Sequence, residues 1–348
     1  MAKQVRYVVI ATGAIAQRRH LPEAAANPNA KIVGVMDIRE DRVHEVAAKY
    51  GCPAYTDHKK MLKEVDADAA VVCGPNYVHA PQSVDCFKAG LHVLVEKPMA
   101  TTRNDAKKMI EAGKKAGKYL MIGLNQRLMP PHVKARELLD RGVMGKVLSF
   151  RTAFAHAGPD GWSIDGAKSW FFDPKQAVMG ATGDLGVHKA DLMRYLLNDE
   201  FTHVGGFVET RDKKDGRGKL IDLDDNAYLT LKTKKGALGY IVASWTNYGR
   251  SEGNYTAIYG EKGVMELAMD PEFGVVVKYR NGNVEKHKVG AVASNEAQTS
   301  SGVIDTFTDC ILNRKKPEID GREGYQAVNV ILTAMEASKR GTILALKD

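Results

Sequence analysis

Short, predominantly apolar runs recur along the first third of the chain, at residues 5–11, 31–37, 69–73, 91–95 and 119–124. A strand with no polar face must be covered on both sides, and parallel sheets flanked by helices meet that need. The intervening stretches read as helices. One runs from the first turn to Asn27-Pro28, and others span 41–50, 56–64 with Thr56 as N-cap, 80–89 and 101–116. Alternation of this kind implies a doubly wound α/β domain ending near Leu124.

The remainder changes character. After a strand at 146–156 and a helix at 183–197 come β-rich runs at 201–211, 227–233, 237–245, 255–259, 264–268 and 275–279. The last turns at Asn281-Gly282-Asn283, a hairpin signal. Residues 212–219 read as a solvated hairpin loop, and helices at 302–313 and 322–340 follow. Strands in sequence flanked by helices imply an α+β domain with a large, mostly antiparallel sheet. The expected division is therefore 1–124 and 125–348.

Lys and Arg (50) exceed Asp and Glu (42), a surplus of +8. The basic pairs are scattered and not interleaved with aromatics, which argues against a nucleic-acid partner. Four cysteines without a CxxC pair read as reduced thiols of a cytoplasmic protein, with no disulfide frame and no metal site. No run approaches the ~20 apolar residues of a membrane span.

The first turn carries the first chemistry. A strand, a Gly-x-Gly-x-x-Gly/Ala turn and a helix hold a dinucleotide pyrophosphate on backbone amides. Here the string is Ala11-Thr12-Gly13-Ala14-Ile15-Ala16, with Ala11 in place of the first glycine. An alanine is tolerable there if φ stays negative. Asp37, ending the second apolar run and followed by Ile38, stands where an acid takes the adenosine ribose hydroxyls, which favours NAD over NADP. Later strand ends face the same ligand crevice in such sheets. They bear Gly74-Pro75-Asn76 with His79, then Glu96-Lys97-Pro98, then Asn125-Gln126-Arg127.

In the second part, Asp184, His188 and Asp191 fall at i, i+4 and i+7 of one helix, hence on one face. A titratable imidazole beside carboxylates suits a general base. The same pattern also fits a buried structural histidine capped by an Asp, or a carboxylate–His metal site, although no third and fourth ligands stand at recognisable spacing.

Together these motifs resemble the glucose–fructose oxidoreductase / inositol dehydrogenase (Gfo/Idh/MocA) family. The motifs are the fingerprint, Pro75-Asn76 with His79, Glu96-Lys97-Pro98, and Asp184-x-Gly186-x-His188-x-x-Asp191. The resemblance implies catalytic roles for Lys97, Asp184 and His188, and a homodimer or homotetramer built on the open face of the sheet. The cofactor-binding set expected is Thr12, Gly13, Ala14, Ile15, Asp37, Ile38, Gly74, Pro75, Asn76, His79, Glu96, Lys97 and Gln126. Arg127, His156, Trp170 and Asp191, with the catalytic three, are expected around a polyol or sugar. Two rivals use the same fold: an NAD-dependent glycoside hydrolase, and a non-catalytic NAD-binding sensor.

Overall fold

The computed structural model describes residues 4–249, 253–292 and 300–347. The chain divides into two compact units, Met1–Asn125 with Glu296–Tyr325, and Gln126–Asn295 with Gln326–Asp348. The expected division made the units consecutive. The chain instead returns to its first unit because the helix Val303–Leu312 has its own docking partners there. Phe307 packs on Tyr7, whose hydroxyl meets Thr308 Oγ1 at 2.8 Å. Glu23 accepts the backbone N–H groups of Ser301 and Ile304 at that helix's N-terminal end.

Six parallel strands form the first unit's sheet, in the order β3-β2-β1-β4-β5-β6. They are β1 (Val5–Ile10), β2 (Ala30–Met36), β3 (Ala54–Tyr55), β4 (Ala69–Val72), β5 (His92–Val95) and β6 (Leu120–Ile122). All four residues of β4 are buried, as the uninterrupted apolar run requires. The strand order reverses between β1 and β4, so ligands of such a sheet bind outside the carboxyl ends there. One helix start differs from expectation. Asp57, not Thr56, caps the helix His58–Glu64, its carboxylate accepting the Lys59 N–H at 2.8 Å.

Among the described residues the second unit holds nine strands, in the order β14-β13-β12-β11-β7-β10-β9-β8-β15. These are β7 (Val147–Ala155), β8 (Phe201–Glu209), β9 (Asn226–Thr233), β10 (Leu238–Ser244), β11 (Tyr255–Gly260), β12 (Gly263–Leu267), β13 (Val275–Tyr279), β14 (Val284–His287) and β15 (Leu344–Ala345). Among these described strands, β7 and β10 alone pair in parallel. One face carries the helix Val187–Leu197, whose residues are nearly all buried. The other exposes Phe207, Tyr228 and Leu238, on strands β8, β9 and β10. The helix Pro130–Asp140, opened by Pro130-Pro131, was absent from the sequence reading. Nor is the 212–219 connector wholly solvated, because Lys213 is buried and its Nζ pairs with Asp160 at 2.8 Å.

Candidate active site

In the first unit, the turn after β1 puts Ala11 at φ +68°, so the negative φ expected there is not what this turn adopts. The chain must swing from strand to helix while the Ala11 N–H still bonds to Met36 O, and the left-handed region allows both. An alanine accepts that at a cost of about 1–2 kcal/mol. Beyond it, a Cβ built on Gly13 would meet nothing within 4 Å, leaving room for a phosphate against the backbone.

Asp37 is buried at the end of β2. Its Oδ2 accepts from the Thr12 N–H at 2.7 Å and the Thr12 hydroxyl at 3.1 Å, and its Oδ1 from the Arg39 N–H at 2.9 Å. The carboxylate thus locks the phosphate turn to β2, with acceptor capacity to spare for ribose hydroxyls. Beside it Ile38 is 83% exposed, an apolar surface suited to a flat base. Arg39, the residue that could welcome a 2′-phosphate, makes two contacts to Asp41, at 2.9 and 3.2 Å. These residues fit NAD.

The two next strand ends are tied together. His79, closing the Asn76–Val78 turn, lies with Nδ1 2.8 Å from Pro98 O and Nε2 2.8 Å from Gly74 O. Both neighbours are acceptors, so a neutral ring donates to one of them, and burial lowers the imidazole pKa. His79 is therefore a clamp between the Gly74-Pro75-Asn76 and Glu96-Lys97-Pro98 segments. The Lys97–Pro98 bond is cis. Glu96 accepts from His20 Nε2 at 2.7 Å and from the Lys97 N–H at 3.1 Å. Burial raises its pKa, but the His20 hydrogen bond and the charges of His20, Arg19 and Lys97 outweigh that and hold it at about 2. Glu96 is thus an anchor that fixes the lysine's backbone.

In the second unit, the helix bearing Asp184 and His188 opens with a π-turn, Thr182–Gly186, before the α-helix Val187–Leu197. Such turns concentrate at functional sites. Glycine is required just before it, because a Cβ on Gly180 would lie 1.8 Å from Asp224 O. Asp184 is buried, with Oδ2 accepting from the Trp245 indole N–H at 3.0 Å and standing 3.7 Å from His156 Nε2. His156 Nδ1 accepts the Gly158 N–H at 2.9 Å, so in the neutral ring the proton sits on Nε2, facing that carboxylate. His188 is buried with its ring 5.9 Å from Phe154.

Rings close the wall. Trp162 meets His156 and Phe171 edge-on, Trp170 stacks on Phe171 at 3.9 Å, and Phe171 meets Trp245. Arg127 and Asp191 are buried in a two-point ion pair, Nε–Oδ2 2.8 Å and Nη2–Oδ1 2.5 Å. Each is thereby engaged with the other. Gln126 is buried, and its carboxamide has no hydrogen-bond partner among the described residues.

The matches to known proteins fall on the same elements. Residues 5–124 fit the model described as "Oxidoreductase family, NAD-binding Rossmann fold", and residues 132–266 fit the GFO/IDH/MocA C-terminal domain. The chain belongs to the Gfo/Idh/MocA family. It is 27% identical to a myo-inositol 2-dehydrogenase of Thermotoga maritima, over 86% of each chain. It is also 27% identical to a levoglucosan dehydrogenase of Pseudarthrobacter phenanthrenivorans, over 69% of this chain and 65% of that one. Among solved structures, an aldose–aldose oxidoreductase from Caulobacter crescentus, complexed with glycerol, superposes with a TM-score of 0.84 at 25% identity. That match covers 99% of this chain and 100% of the other. This family member is an NAD-binding oxidoreductase with the expected architecture: a parallel nucleotide-binding sheet and a mostly antiparallel second sheet.

Sequence reasoning missed Trp245, Trp162 and the His20–Arg19 support of Glu96. Trp245 had a signal, since an indole at the end of an apolar strand must find an acceptor when buried. His20 and Glu96 stand 76 residues apart, and no local spacing encodes that contact.

Proposed function

We propose that this protein oxidises a secondary hydroxyl of a cyclic polyol or sugar. The observation that carries the reading is the Asp184–His156–Trp245 cluster beside His188, walled by aromatic rings. A sugar or inositol ring offers hydroxyls to the polar groups and an apolar C–H face to the rings. The relatives named above, an inositol dehydrogenase and a levoglucosan dehydrogenase, act on substrates of that description.

When bound, NAD supplies the hydride acceptor. His188 takes the hydroxyl proton, Lys97 donates a hydrogen bond that stabilises developing alkoxide charge, and Asp184 orients the substrate hydroxyl or the imidazole. Thr12, Gly13, Ala14 and Ile15 hold the pyrophosphate and Asp37 the ribose. Ile38, Gly74, Pro75, Asn76 and Gln126 complete the cofactor set, which His79 and Glu96 support. His156, Trp170 and the Arg127–Asp191 pair shape the substrate side. The exposed Phe207, Tyr228 and Leu238 surface supports a homodimer or homotetramer through the open sheet face.

The test is NADH formation across a panel of inositols and sugars. Wild type should reduce NAD with at least one member. His188→Ala and Lys97→Ala should each lower kcat by about 10²–10⁴-fold while NAD affinity stays within about threefold. Sugar released without net NADH would establish the hydrolase instead, and silence across the panel would favour the sensor. Among the described residues no helix is long and apolar enough to cross a membrane.

A further inference from the structure

Asn254 lies just before β11 and is buried, yet neither atom of its carboxamide has a hydrogen-bond partner among the described residues. An orphaned buried amide is costly, and a protein that keeps one has a use for it. Its position follows from the ladder. Tyr255 stands opposite Ala153 and Thr256 opposite Thr152, and the Gly253 N–H bonds to Ala155 O, so the pairing runs on past the end of the strand. Asn254 therefore stands opposite Phe154. Directly opposed residues of an antiparallel pair share a face. That face is the inner one, where Thr152 and Thr256 join hydroxyls at 2.7 Å and where the Phe154 ring meets both His156 and His188.

We propose that Asn254 binds a hydroxyl of the substrate ring, its N–H₂ donating and its C=O accepting, and so selects which ring orientation is presented to His188. The inference rests on the polyol-dehydrogenase reading. A carboxamide offers one donor group and one acceptor group side by side. Vicinal hydroxyls, each both donor and acceptor, complement that pair, whereas a carboxylate or phosphate would be repelled by its carbonyl oxygen. The ligand class is a neutral vicinal diol.

The experiment compares wild type, Asn254→Ala and Asn254→Asp on myo-inositol, scyllo-inositol, methyl glucosides and their monodeoxy analogues. NAD affinity and Tm are recorded alongside. Asn254→Ala should raise KM about tenfold, with kcat and NAD affinity changed by less than about threefold. One monodeoxy analogue should be discriminated against by wild type and accepted equally by Asn254→Ala. A structural role would not give that pairing. If the alanine variant fails to fold, the near-isosteric Asn254→Asp must show the raised KM. Unchanged KM on every active substrate, or equal discrimination among deoxy analogues in both proteins, overturns the assignment while leaving the dehydrogenase reading intact. A wild type that neither oxidises nor binds any panel member overturns both.

Discussion

Each unit buries a charge beside a residue proposed to do chemistry, and the two are treated in opposite ways. Glu96, next to Lys97, is met by His20, Arg19 and the Lys97 N–H, and its carboxyl falls from 4.5 to about 2 although burial pushes it up. Lys189, next to His188, has no carboxylate partner among the described residues. Its Nζ lies 3.5 Å from Tyr255 O and 5.9 Å from the centre of the Phe154 ring, and burial brings it from 10.5 to about 7. The comparison teaches that burial alone does not decide whether an ionisable group keeps its charge. Partners arriving from a second element do. Glu96 stays charged at neutral pH, while Lys189 titrates through it.

The sharpest way to break that contrast is to remove the carboxylate. Glu96→Gln should destabilise the protein by about 3–5 kcal/mol at pH 7, read from the urea midpoint, because the buried Arg19 loses its counter-charge and His20 its carboxylate partner. The folded pKa of Glu96 is depressed. Its contribution is therefore full above about 4.5 and lost as pH falls toward 2. Wild type should weaken through that window more steeply than the variant, and equal slopes would mean that the network does not hold the charge.

Lys189→Met tests the other side, with the opposite sign. The folded state releases this proton near 7 and the unfolded state near 10.5, so wild-type stability rises with pH across that interval. Below pH 7 the variant should exceed wild type by about 2–4 kcal/mol, and near pH 10.5 the gap should close. A gap independent of pH would show that the lysine is charged in the fold.

A smaller effect is expected at Asp184. Trp245→Phe keeps an aromatic ring but removes the donor to a buried carboxylate, a loss of about 1.5–3 kcal/mol in favour of its neutral form. The acidic limb of kcat/KM should move to higher pH, while NAD affinity holds. If only the plateau falls and the limb stays in place, Trp245 is packing and nothing more. The smallest change is Ala11→Gly. Relief of the left-handed φ, offset by a more flexible unfolded chain, should gain about 0.5–1 kcal/mol and raise Tm by a degree or two. A loss of stability would contradict the φ of +68° at that turn.

Much of the first unit was legible because its signals are local. Apolar runs gave the buried strands, Asp37 sat one strand after the Ala11–Ala16 turn, and Glu96-Lys97-Pro98 fell at a strand end. The second unit was legible as a pattern of strands and one helix carrying Asp184, His188 and Asp191. Which groups those side chains meet was not. Asp191 pairs with Arg127, 64 residues away, and Asp184 with Trp245, 61 residues away. The return of the chain to its first unit was equally hidden, since a helix states its apolar stripe but not the surface that will cover it.

By itself the sequence determined the parallel sheet, the glycine turn after its first strand with an acid one strand later, and the polar residue types at strand ends and on one helix. Periodicity and turn chemistry act over a few residues, so those features needed no knowledge of the fold. Only the tertiary structure decided that Glu96 is held as an anion and Lys189 is not. It alone set His79 between two carbonyls, put Ala11 in the left-handed region and left Asn254 as a buried amide. Each of these depends on which distant groups share a low-dielectric interior, and chain folding, not spacing along the chain, determines that.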